Sequence, residues 1–284
     1  MNRPSSSNQA NPEAQVHSTQ VWKFDPDQPF HQQPDYLAVE EPLQIEIDGQ
    51  PWLTTMRTPG HDQELAVGLL LAEGIIQSQA DIVDLSYCQE DANGNLLRII
   101  LAAHCKFEPS AETRGSYANS SCGICGKTSI DTLQSKFSPI DDDIHIDPQL
   151  IAQLPGRLQA EQATFQRTGG LHGAALFDLG GNLLVVREDV GRHNTVDKVI
   201  GYALLNNQLP LSQTILMVSG RVAFEIIHKA LAGGIPVIAA ISAPTSLAVR
   251  FAQQNNQTLI GFLRGQQMNV YCHPNRLAGE QTIK

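Results

Sequence analysis

The sequence lacks long apolar runs and is poor in positive charge, and each absence excludes a class of protein. Its 284 residues contain no apolar stretch of about 18, so no membrane-spanning helix is predicted. Residues 1–20 are polar and lack the apolar core of a secretory signal, so we expect a disordered tail there. With 29 acidic and 19 basic residues the net charge is -10, which argues against a nucleic-acid binder, because such proteins contact phosphates through basic surfaces.

Cysteine is also scarce, and its five copies are too irregularly spaced to suggest a disulfide framework. The odd number and the lack of a predicted secretory signal favour a reducing, cytoplasmic setting. Cys88, Cys105 and Cys272 lie in or beside apolar, strand-like segments, so we expect them to be buried as small hydrophobic residues. Cys122 and Cys125 differ, because they stand three positions apart in a polar stretch with several glycines.

The first part of the chain predicts a small α+β domain over residues 21–105. Apolar and polar residues alternate over 43–48, and Gly49 and Gln50 then separate this stretch from residues 52–56, which together are typical of a β-hairpin. The patterns predict, in order, strands over 43–48 and 52–56, a helix over 64–76 that ends near Gly74, and strands over 81–88 and 96–103. Residues 106–145 show little periodicity and are rich in Ser, Gly, Asn and Asp, so we expect a flexible loop that carries the cysteine pair.

The second half, residues 146–284, predicts an α/β domain with the element order ββαβαβαβ. The elements are strands over 172–178 and 183–187, a helix capped by Asn194, a strand over 214–219, a helix over 222–232, a strand over 235–242, a helix over 244–254 with Pro244 in its first turn, and a strand over 258–263. The later strands are continuously apolar, which is typical of a parallel sheet with both faces covered.

Three segments, 219–221, 242–246 and 264–267, are predicted to leave this sheet at the carboxyl ends of its strands, where open α/β sheets bind ligands. The first two lead into helix N-termini, which favour anions, and Arg221 and Arg264 add positive charge. Taken alone, the hydroxyl of each serine or threonine in these segments is better explained as the cap of a helix. The convergence of three segments with two arginines predicts a site for phosphate or pyrophosphate.

Two further stretches, 168–173 and 187–194, each place a histidine near glycines. Such a histidine can bind phosphate or move a proton, although a histidine in a turn more often has a structural role. Together the segments give seven secondary candidates for the site: His172, Arg192, His193, Ser219, Arg221, Ser242 and Thr245.

The stretch SSCGICGK holds the C-x-x-C pair of Cys122 and Cys125. A structural zinc needs a second pair of ligands, and no second C-x-x-C or H-x-x-x-H is present. A zinc deaminase needs H-x-E, which is missing, and a thioredoxin-like motif needs a strand and a helix beside it. The remaining interpretation is a flexible pair of reactive cysteines. The positive charges of Lys127 and Arg114 would favour their thiolate form, and a thiolate can accept a persulfide sulfur and pass it on.

Over roughly residues 37–275 the sequence resembles the FdhD/NarQ family of sulfur carrier proteins, which formate dehydrogenase needs for activity. The motifs that carry the resemblance are SSCGICGK, TGGLHGAALF, REDVGRHNTVDKVIG, SGRVAFEIIHKA, GIPVIAAISAPTSLAV and GFLRGQQMNVY. The resemblance implies a C-terminal cytidine-deaminase-like, three-layer α/β domain without the deaminase zinc, behind the small N-terminal α+β unit. It also implies a cytoplasmic homodimer with no permanent metal.

The resemblance further implies a function. The family takes sulfur from a cysteine desulfurase and delivers it to the molybdenum cofactor, bis(molybdopterin guanine dinucleotide), before insertion into formate dehydrogenase. Cys122 matches the persulfide cysteine and Cys125 matches its partner. The stretch that matches the cofactor-binding segment is Phe262, Leu263, Arg264, Gly265, Gln266 and Gln267.

The sequence leaves two alternatives to such a sulfurtransferase-like carrier. One is a non-catalytic chaperone that only binds the guanine dinucleotide cofactor, and its activity would not depend on Cys122 or Cys125. The other is a zinc-binding hydrolase, which would be purified with stoichiometric zinc.

Overall fold

The computed structural model describes residues 12–88, 91, 94–105, 107, 117–118 and 137–277. Within these residues the chain forms a two-stranded ribbon, a five-stranded sheet and a six-stranded sheet. In the part of the chain so described, no helix has the length and apolar content that crossing a membrane requires.

The ribbon at the N-terminus consists of β1 (Val16–Asp25) and β2 (Gln28–Ala38), paired antiparallel after a 3-10 turn over Pro12–Gln15. The predicted disordered tail is therefore wrong for residues 16–20, which belong to β1. The composition of this segment does not indicate a strand, because most of its side chains are exposed. The strand forms because its backbone N–H and C=O groups pair with those of β2. Residues 1–11 lie outside the described part of the chain.

The five-stranded sheet has the order β5-β6-β3-β4-β7. Its strands are β3 (Glu41–Ile47), β4 (Gln50–Arg57), β5 (Ile82–Tyr87), β6 (Leu96–Leu101) and β7 (Tyr117–Ala118). β3 and β4 form the predicted hairpin, whose turn is possible because Asp48 and Gly49 both adopt positive φ angles. Helix α1 (Asp62–Ala72) follows β4 and ends just before Gly74, as predicted.

The six-stranded sheet has the order β13-β12-β11-β10-β8-β9. Its strands are β8 (His172–Asp178), β9 (Leu183–Asp189), β10 (Thr214–Val218), β11 (Val237–Ala240), β12 (Thr258–Arg264) and β13 (Gln267–Cys272). β10, β11 and β12 are mutually parallel, which confirms the predicted arrangement. The antiparallel β13 was not predicted, because its side chains are mostly exposed and give no apolar run.

Six more helices accompany this sheet: α2 (Pro148–Ile151), α3 (Leu154–Glu161), α4 (Ala163–Thr168), α5 (Arg192–Leu205), α6 (Phe224–Ala232) and α7 (Ser246–Gln254). The three short helices α2 to α4 were not predicted. They are four to eight residues long, and Pro155 and Gly156 interrupt the helical pattern of α3.

Two helix starts differ from prediction. α5 begins at Arg192 with Gly191 at its N-cap, so Asn194 is not the cap. The Asn194 amide instead donates 2.9 Å hydrogen bonds to Met56 O and to Asp189 Oδ1, so tertiary contacts use the side chain that could have capped the helix. α7 is capped by Thr245, whose hydroxyl accepts from Ala248 N, and Pro244 precedes the helix.

Apolar side chains form two cores, one on each face of the six-stranded sheet. The smaller core packs α2 and α3 against one face through residues such as Ile151, Leu154 and Leu158. The larger core covers the other face with α5, α6 and α7, and continues through α1 to the inner face of the five-stranded sheet. The result is a layered α/β structure in which helices lie between the two sheets.

Where α1 crosses α5, the two backbones touch. A Cβ atom on Gly68 would collide with the main-chain carbonyl of Asp197, and one on Gly201 would collide with that of Glu64. Glycine at both positions therefore lets the helix of the N-terminal unit lie directly against the helix of the C-terminal unit.

A buried ionic cluster joins the same two units. Lys198 and Asp189, both fully buried, form an ion pair of 2.7 Å. Asp189 also accepts a hydrogen bond from Thr58 N, and the Lys198 ammonium donates to Thr58 O at 3.0 Å. Because both charges are paired and also bonded to backbone groups of β4's C-terminal loop, this cluster fixes the position of that loop on the C-terminal sheet.

Candidate functional site

A cavity of about 620 Å³ opens beyond the carboxyl ends of β10, β11 and β12. Ser219, Ile241 and Arg264 lie where these three parallel strands end, and His172 begins the antiparallel neighbour β8 at the same edge. This is the position at which an open α/β sheet binds its ligand. The lining residues are Pro155, Gly156, Gln159, Gln162, Phe165, Gly169, Gly170, Leu171, His172, Ser219, Ile241, Leu263, Arg264 and Gly265.

Five residues singled out from the sequence line this cavity together: His172, Ser219, Leu263, Arg264 and Gly265. The other candidates are not part of the cavity lining. They are Arg192, His193, Arg221, Ser242, Thr245, Phe262, Gln266 and Gln267. Gln266 lines a separate cavity of about 330 Å³ with Met268 and residues of α2.

His172 is half-buried at the start of β8. Burial lowers its pKa, and the nearby positive charge of Arg192, with a smaller contribution from Arg221, lowers it further against the opposing effect of Asp189. The imidazole is therefore neutral at neutral pH, when it can donate one hydrogen bond and accept another. The two arginines give this corner of the site a positive potential that favours an anion.

Ser219 links β8 to β10 beyond the last strand pair. Its hydroxyl accepts from Gly173 N at 2.9 Å, and its own N–H donates to Gly173 O at 2.9 Å. These bonds hold the serine at the cavity wall and explain its position better than a helix cap does.

Gln162 is a lining residue that sequence reasoning missed. Only 4% of its surface is exposed, and its Nε2 has no hydrogen-bond partner among the described residues. The amide packs over Gly173, where a Cβ atom would come within 2.5 Å of Nε2. An unpaired buried N–H costs about 1–3 kcal/mol, so a small rotation of the side chain that brings this N–H to a ligand acceptor in the cavity would recover that energy. No local pattern signals this residue, because the glycine that admits it lies eleven positions away in the printed sequence.

The end of β12 has an unusual backbone. Phe262 adopts a φ of 51°, at an irregularity in the pairing with β13, and its ring is 40% exposed. Positive φ is costly for a bulky residue and often occurs at functional sites. The twist buries Leu263 in the cavity wall and leaves Arg264 exposed beside the cavity, with its guanidinium 5.9 Å from the Phe262 ring. Gly265 then turns the chain with a φ of 59°.

The remaining candidates have positions that the structure explains. Thr245 is the cap of α7, and Ser242 accepts a hydrogen bond from Phe262 N through its main-chain carbonyl. Arg221 is exposed, His193 is buried in the first turn of α5, and Arg192 occupies the first position of that helix. The helix-cap interpretation of Thr245 is thus confirmed.

Cys122 and Cys125, the predicted sulfur-carrying pair, lie outside the described residues, as do Lys127 and Arg114. Among the other cysteines, Cys88 and Cys272 are buried as predicted. Cys105 is only partly buried: it packs against the larger core, as predicted, and also stands beside a carboxylate and an imidazole, which was not predicted.

Known proteins share this sequence and fold. The sequence is 48% identical over 253 residues to a protein of Streptomyces coelicolor named sulfur carrier protein FdhD, a match covering 86% of this chain and 90% of the relative. Proteins of the same name from Mycobacterium tuberculosis and Sulfolobus acidocaldarius are 47% and 44% identical, over 86% of this chain and 92% and 91% of theirs.

A solved structure supports the fold. A crystal structure from Desulfotalea psychrophila, described as a candidate formate dehydrogenase accessory protein, superposes with a TM-score of 0.75 and 22% identity, covering 93% of this chain and all of the other. The family model described as FdhD/NarQ matches residues 38–278 of this sequence. With most of its length matched and relatives near half identity, the chain belongs to the FdhD/NarQ family.

Proposed function

We propose that this chain is a sulfur carrier that serves formate dehydrogenase by delivering sulfur to its molybdenum cofactor. Family membership and the name that the relatives carry support the sulfur-carrier role. The observation that supports a dinucleotide client is the cavity in which His172, Ser219, Arg264 and the unpaired Gln162 amide meet at the ends of three parallel strands.

The cavity suits the guanine nucleotide end of bis(molybdopterin guanine dinucleotide). A nucleotide offers carbonyl and phosphate oxygens as acceptors, and the cavity offers the buried Gln162 N–H group, the His172 ring and the exposed Arg264 guanidinium. Arg192 and Arg221 add positive potential behind His172. Charge-assisted hydrogen bonds from arginine are well suited to phosphate oxygens.

Sulfur would arrive on Cys122. Its thiolate attacks the outer sulfur of a cysteine desulfurase persulfide, the S–S bond of that persulfide breaks, and the desulfurase cysteine leaves as a thiolate. Cys122 then carries the outer sulfur. Attack of the Cys125 thiolate on the inner sulfur would release hydrosulfide and leave a Cys122–Cys125 disulfide, so the two electrons come from the cysteine pair and a cellular thiol must reduce it afterwards.

This proposal includes partners that the fold alone does not supply. A cysteine desulfurase provides the sulfur, formate dehydrogenase receives the sulfurated cofactor, and a second copy of the chain completes a cytoplasmic homodimer. No permanent metal takes part in the sulfur transfer itself.

The nucleotide site is tested by calorimetric titration with GDP. Arg264→Ala should weaken GDP binding by roughly ten- to a hundredfold, because it removes a charge-assisted contact worth roughly 1.5–3 kcal/mol. Gln162→Leu should also weaken binding, yet leave the free protein equally or more stable, because it replaces an unpaired buried amide by an apolar side chain of similar size.

The matched control is Arg250→Ala, since Arg250 is an exposed arginine on α7 outside the cavity lining. Its GDP affinity should equal that of the unchanged protein. Equal affinity for all three variants and the unchanged protein would exclude this cavity as the nucleotide site.

The alternative function is a chaperone that binds the dinucleotide without carrying sulfur, and the same cavity would serve it as the nucleotide site. The two functions separate on Cys122. Cells that rely on the Cys122→Ala variant should lose formate dehydrogenase activity if the chain carries sulfur, and keep it if the chain only binds the cofactor.

A further inference from the structure

A second group of reactive side chains lies outside the cavity lining, where β6 ends. Asp81, His104 and Cys105 present one carboxylate oxygen, one ring nitrogen and one thiol sulfur, all within 4.8 Å of one another. His104 Nε2 is 2.8 Å from Asp81 Oδ1, and the Cys105 thiol points at the main-chain carbonyl of Asp81 at 3.9 Å. None of these residues belongs to the family motifs quoted above or to the candidate nucleotide site.

The Asp81 carboxylate is fixed in one orientation. Its Oδ2 accepts hydrogen bonds from Gln77 N at 2.7 Å and Ser78 N at 3.0 Å, which close the short 3-10 turn before β5. Oδ1 is thereby directed toward His104. Burial disfavours the ionised form, but the bonds from Gln77, His104 and Ser78 outweigh it and lower the pKa of Asp81. These hydrogen bonds hold the carboxylate in place, as a metal ligand needs to be.

The Cys105 thiol lies in a negative environment. Burial raises its pKa, and the charges of Asp81 and Asp48 raise it further. The main chain holds the residue in position, since Cys105 N donates to Ala102 O at 2.8 Å and Ala102 N donates to Asp81 O at 2.9 Å. These main-chain bonds keep the thiol beside the Asp81 carboxylate and the His104 ring, where one cation can contact all three groups.

We propose that Asp81, His104 and Cys105 bind one Zn²⁺ ion. Tetrahedral zinc has bonds of about 2.0–2.3 Å, which place its ligand atoms roughly 3–4 Å apart. The three ligand atoms here lie within 4.8 Å of one another, so small side-chain movements would bring them to one ion. On binding, the Cys105 thiol loses its proton to solvent and forms the Zn–S bond. His104 gives up the Nε2 proton that it donates to Asp81, takes a proton from solvent on Nδ1 instead, and forms the Zn–N bond through Nε2. The carboxylate and thiolate together balance the two charges of the ion, and one coordination position stays open to water.

The combination of ligands selects the metal. Thiolate and imidazole disfavour Mg²⁺ and Ca²⁺, which prefer oxygen, and suit zinc among the abundant cations. The site would tie the start of β5 to the residues that follow β6, where the chain leaves the five-stranded sheet. It differs from the zinc centre excluded from the sequence, because it uses neither Cys122 nor Cys125.

Cobalt(II) titration tests the site, because cobalt takes the place of zinc and a cobalt–thiolate bond has a near-ultraviolet charge-transfer band. The protein is the full chain with Cys122→Ser and Cys125→Ser, which removes the thiols of the C-x-x-C pair from the measurement. We expect one cobalt per chain with a thiolate band, displaced by zinc. Adding Cys105→Ser should abolish the band.

Two further variants separate a lost ligand from a damaged fold. The His104 side chain is 68% exposed, so His104→Ala should fold normally and lower zinc affinity by about tenfold or more, since loss of even an outer-shell partner has such an effect. His145→Ala, which removes another exposed histidine, should bind zinc unchanged. The proposal is overturned if the Cys122→Ser, Cys125→Ser protein shows no thiolate band, or if the band survives Cys105→Ser.

Discussion

Among single residues, Glu64 shows most clearly how one buried charge holds the two units together. Its carboxylate, on α1, receives two hydrogen bonds from Arg187 on β9, at 2.5 and 2.7 Å, and only 5% of the residue is exposed. Burial alone would raise its pKa, but the bonds and charge of Arg187, with help from His61, lower it below the ordinary value of 4.5. The pair thus stabilises the fold wherever Glu64 is ionised.

Glu64→Gln should therefore lower the free energy of unfolding at neutral pH by roughly 3 kcal/mol, since it leaves Arg187 as a buried charge without its partner. A group whose pKa is lowered by folding contributes stability above its unfolded pKa and loses it as pH falls through the folded pKa. The difference between Glu64→Gln and the unchanged protein should accordingly shrink below pH 4.5. Urea unfolding across this range measures it.

The control for this prediction is Glu46→Gln, which breaks the more exposed pair between Glu46 and Arg98. Exposed pairs contribute about 0–1 kcal/mol, so this variant should unfold almost as the unchanged protein does. A difference for Glu64→Gln that stays constant from neutral to acidic pH would show that the charge of Glu64 is not what stabilises the junction.

Residues also show where sequence reasoning succeeded and failed. His172, Ser219 and Arg264 were identified because strand ends and glycine-rich turns are visible in a single sequence. Gln162 and the polar neighbours of Cys105 were not predicted, because they depend on residues elsewhere in the chain: Gly173 for the first, Asp81 for the second. No local pattern encodes such neighbours.

At the scale of elements, the crossing of α1 and α5 is the contact on which the arrangement of the two sheets depends. Gly68 and Gly201 lie where each helix meets the main chain of the other, so there is no flexible side chain that could move aside. A glycine inside a helix lowers the stability of that helix by about 1 kcal/mol relative to alanine. The close contact between the two backbones explains why glycine is nevertheless present at both positions.

Gly68→Ala and Gly201→Ala should each lower the free energy of unfolding by about 3 kcal/mol or more, because the added methyl group forces the helices apart. Gly156→Ala is the matched control, since Gly156 lies in α3 with nothing within 4 Å of its added Cβ. That variant should be equally stable or gain up to about 1 kcal/mol. Thermal unfolding of the three proteins decides, and unchanged stability of both crossing variants would mean that the helices are not in contact.

Elements with strong apolar periodicity were predictable, and those built on weak patterns were not. The ββαβαβαβ order is confirmed because its strands are continuously apolar and its longer helices have clear apolar spacing. β1, β2 and β13 escaped prediction because they pair by backbone hydrogen bonds with largely exposed side chains. The start of α5 was misplaced because Asn194 bonds to Met56 rather than to its own helix.

At the scale of the whole molecule, we propose that the cavity and the cysteine pair act together. The cavity binds the nucleotide of the molybdenum cofactor, and a cysteine thiol delivers sulfur to that cofactor. The fold places the cavity at the carboxyl edge of the six-stranded sheet, and the buried contacts around Asp189, Glu64 and the helix crossing keep the N-terminal unit against that sheet. The domain limits inferred from the sequence, 21–105 and 146–284, stay a prediction.

The central claim, that Cys122 carries sulfur, is tested most directly by mass. The protein is incubated with a cysteine desulfurase and cysteine, and intact and peptide masses are then measured under non-reducing conditions. We predict a gain of one sulfur on the peptide that contains Cys122, absent from Cys122→Ala and retained in Cys88→Ala, which removes a buried cysteine as a control. No gain, with the desulfurase shown to be active in the same mixture, would contradict the carrier function and leave a chaperone that binds the cofactor.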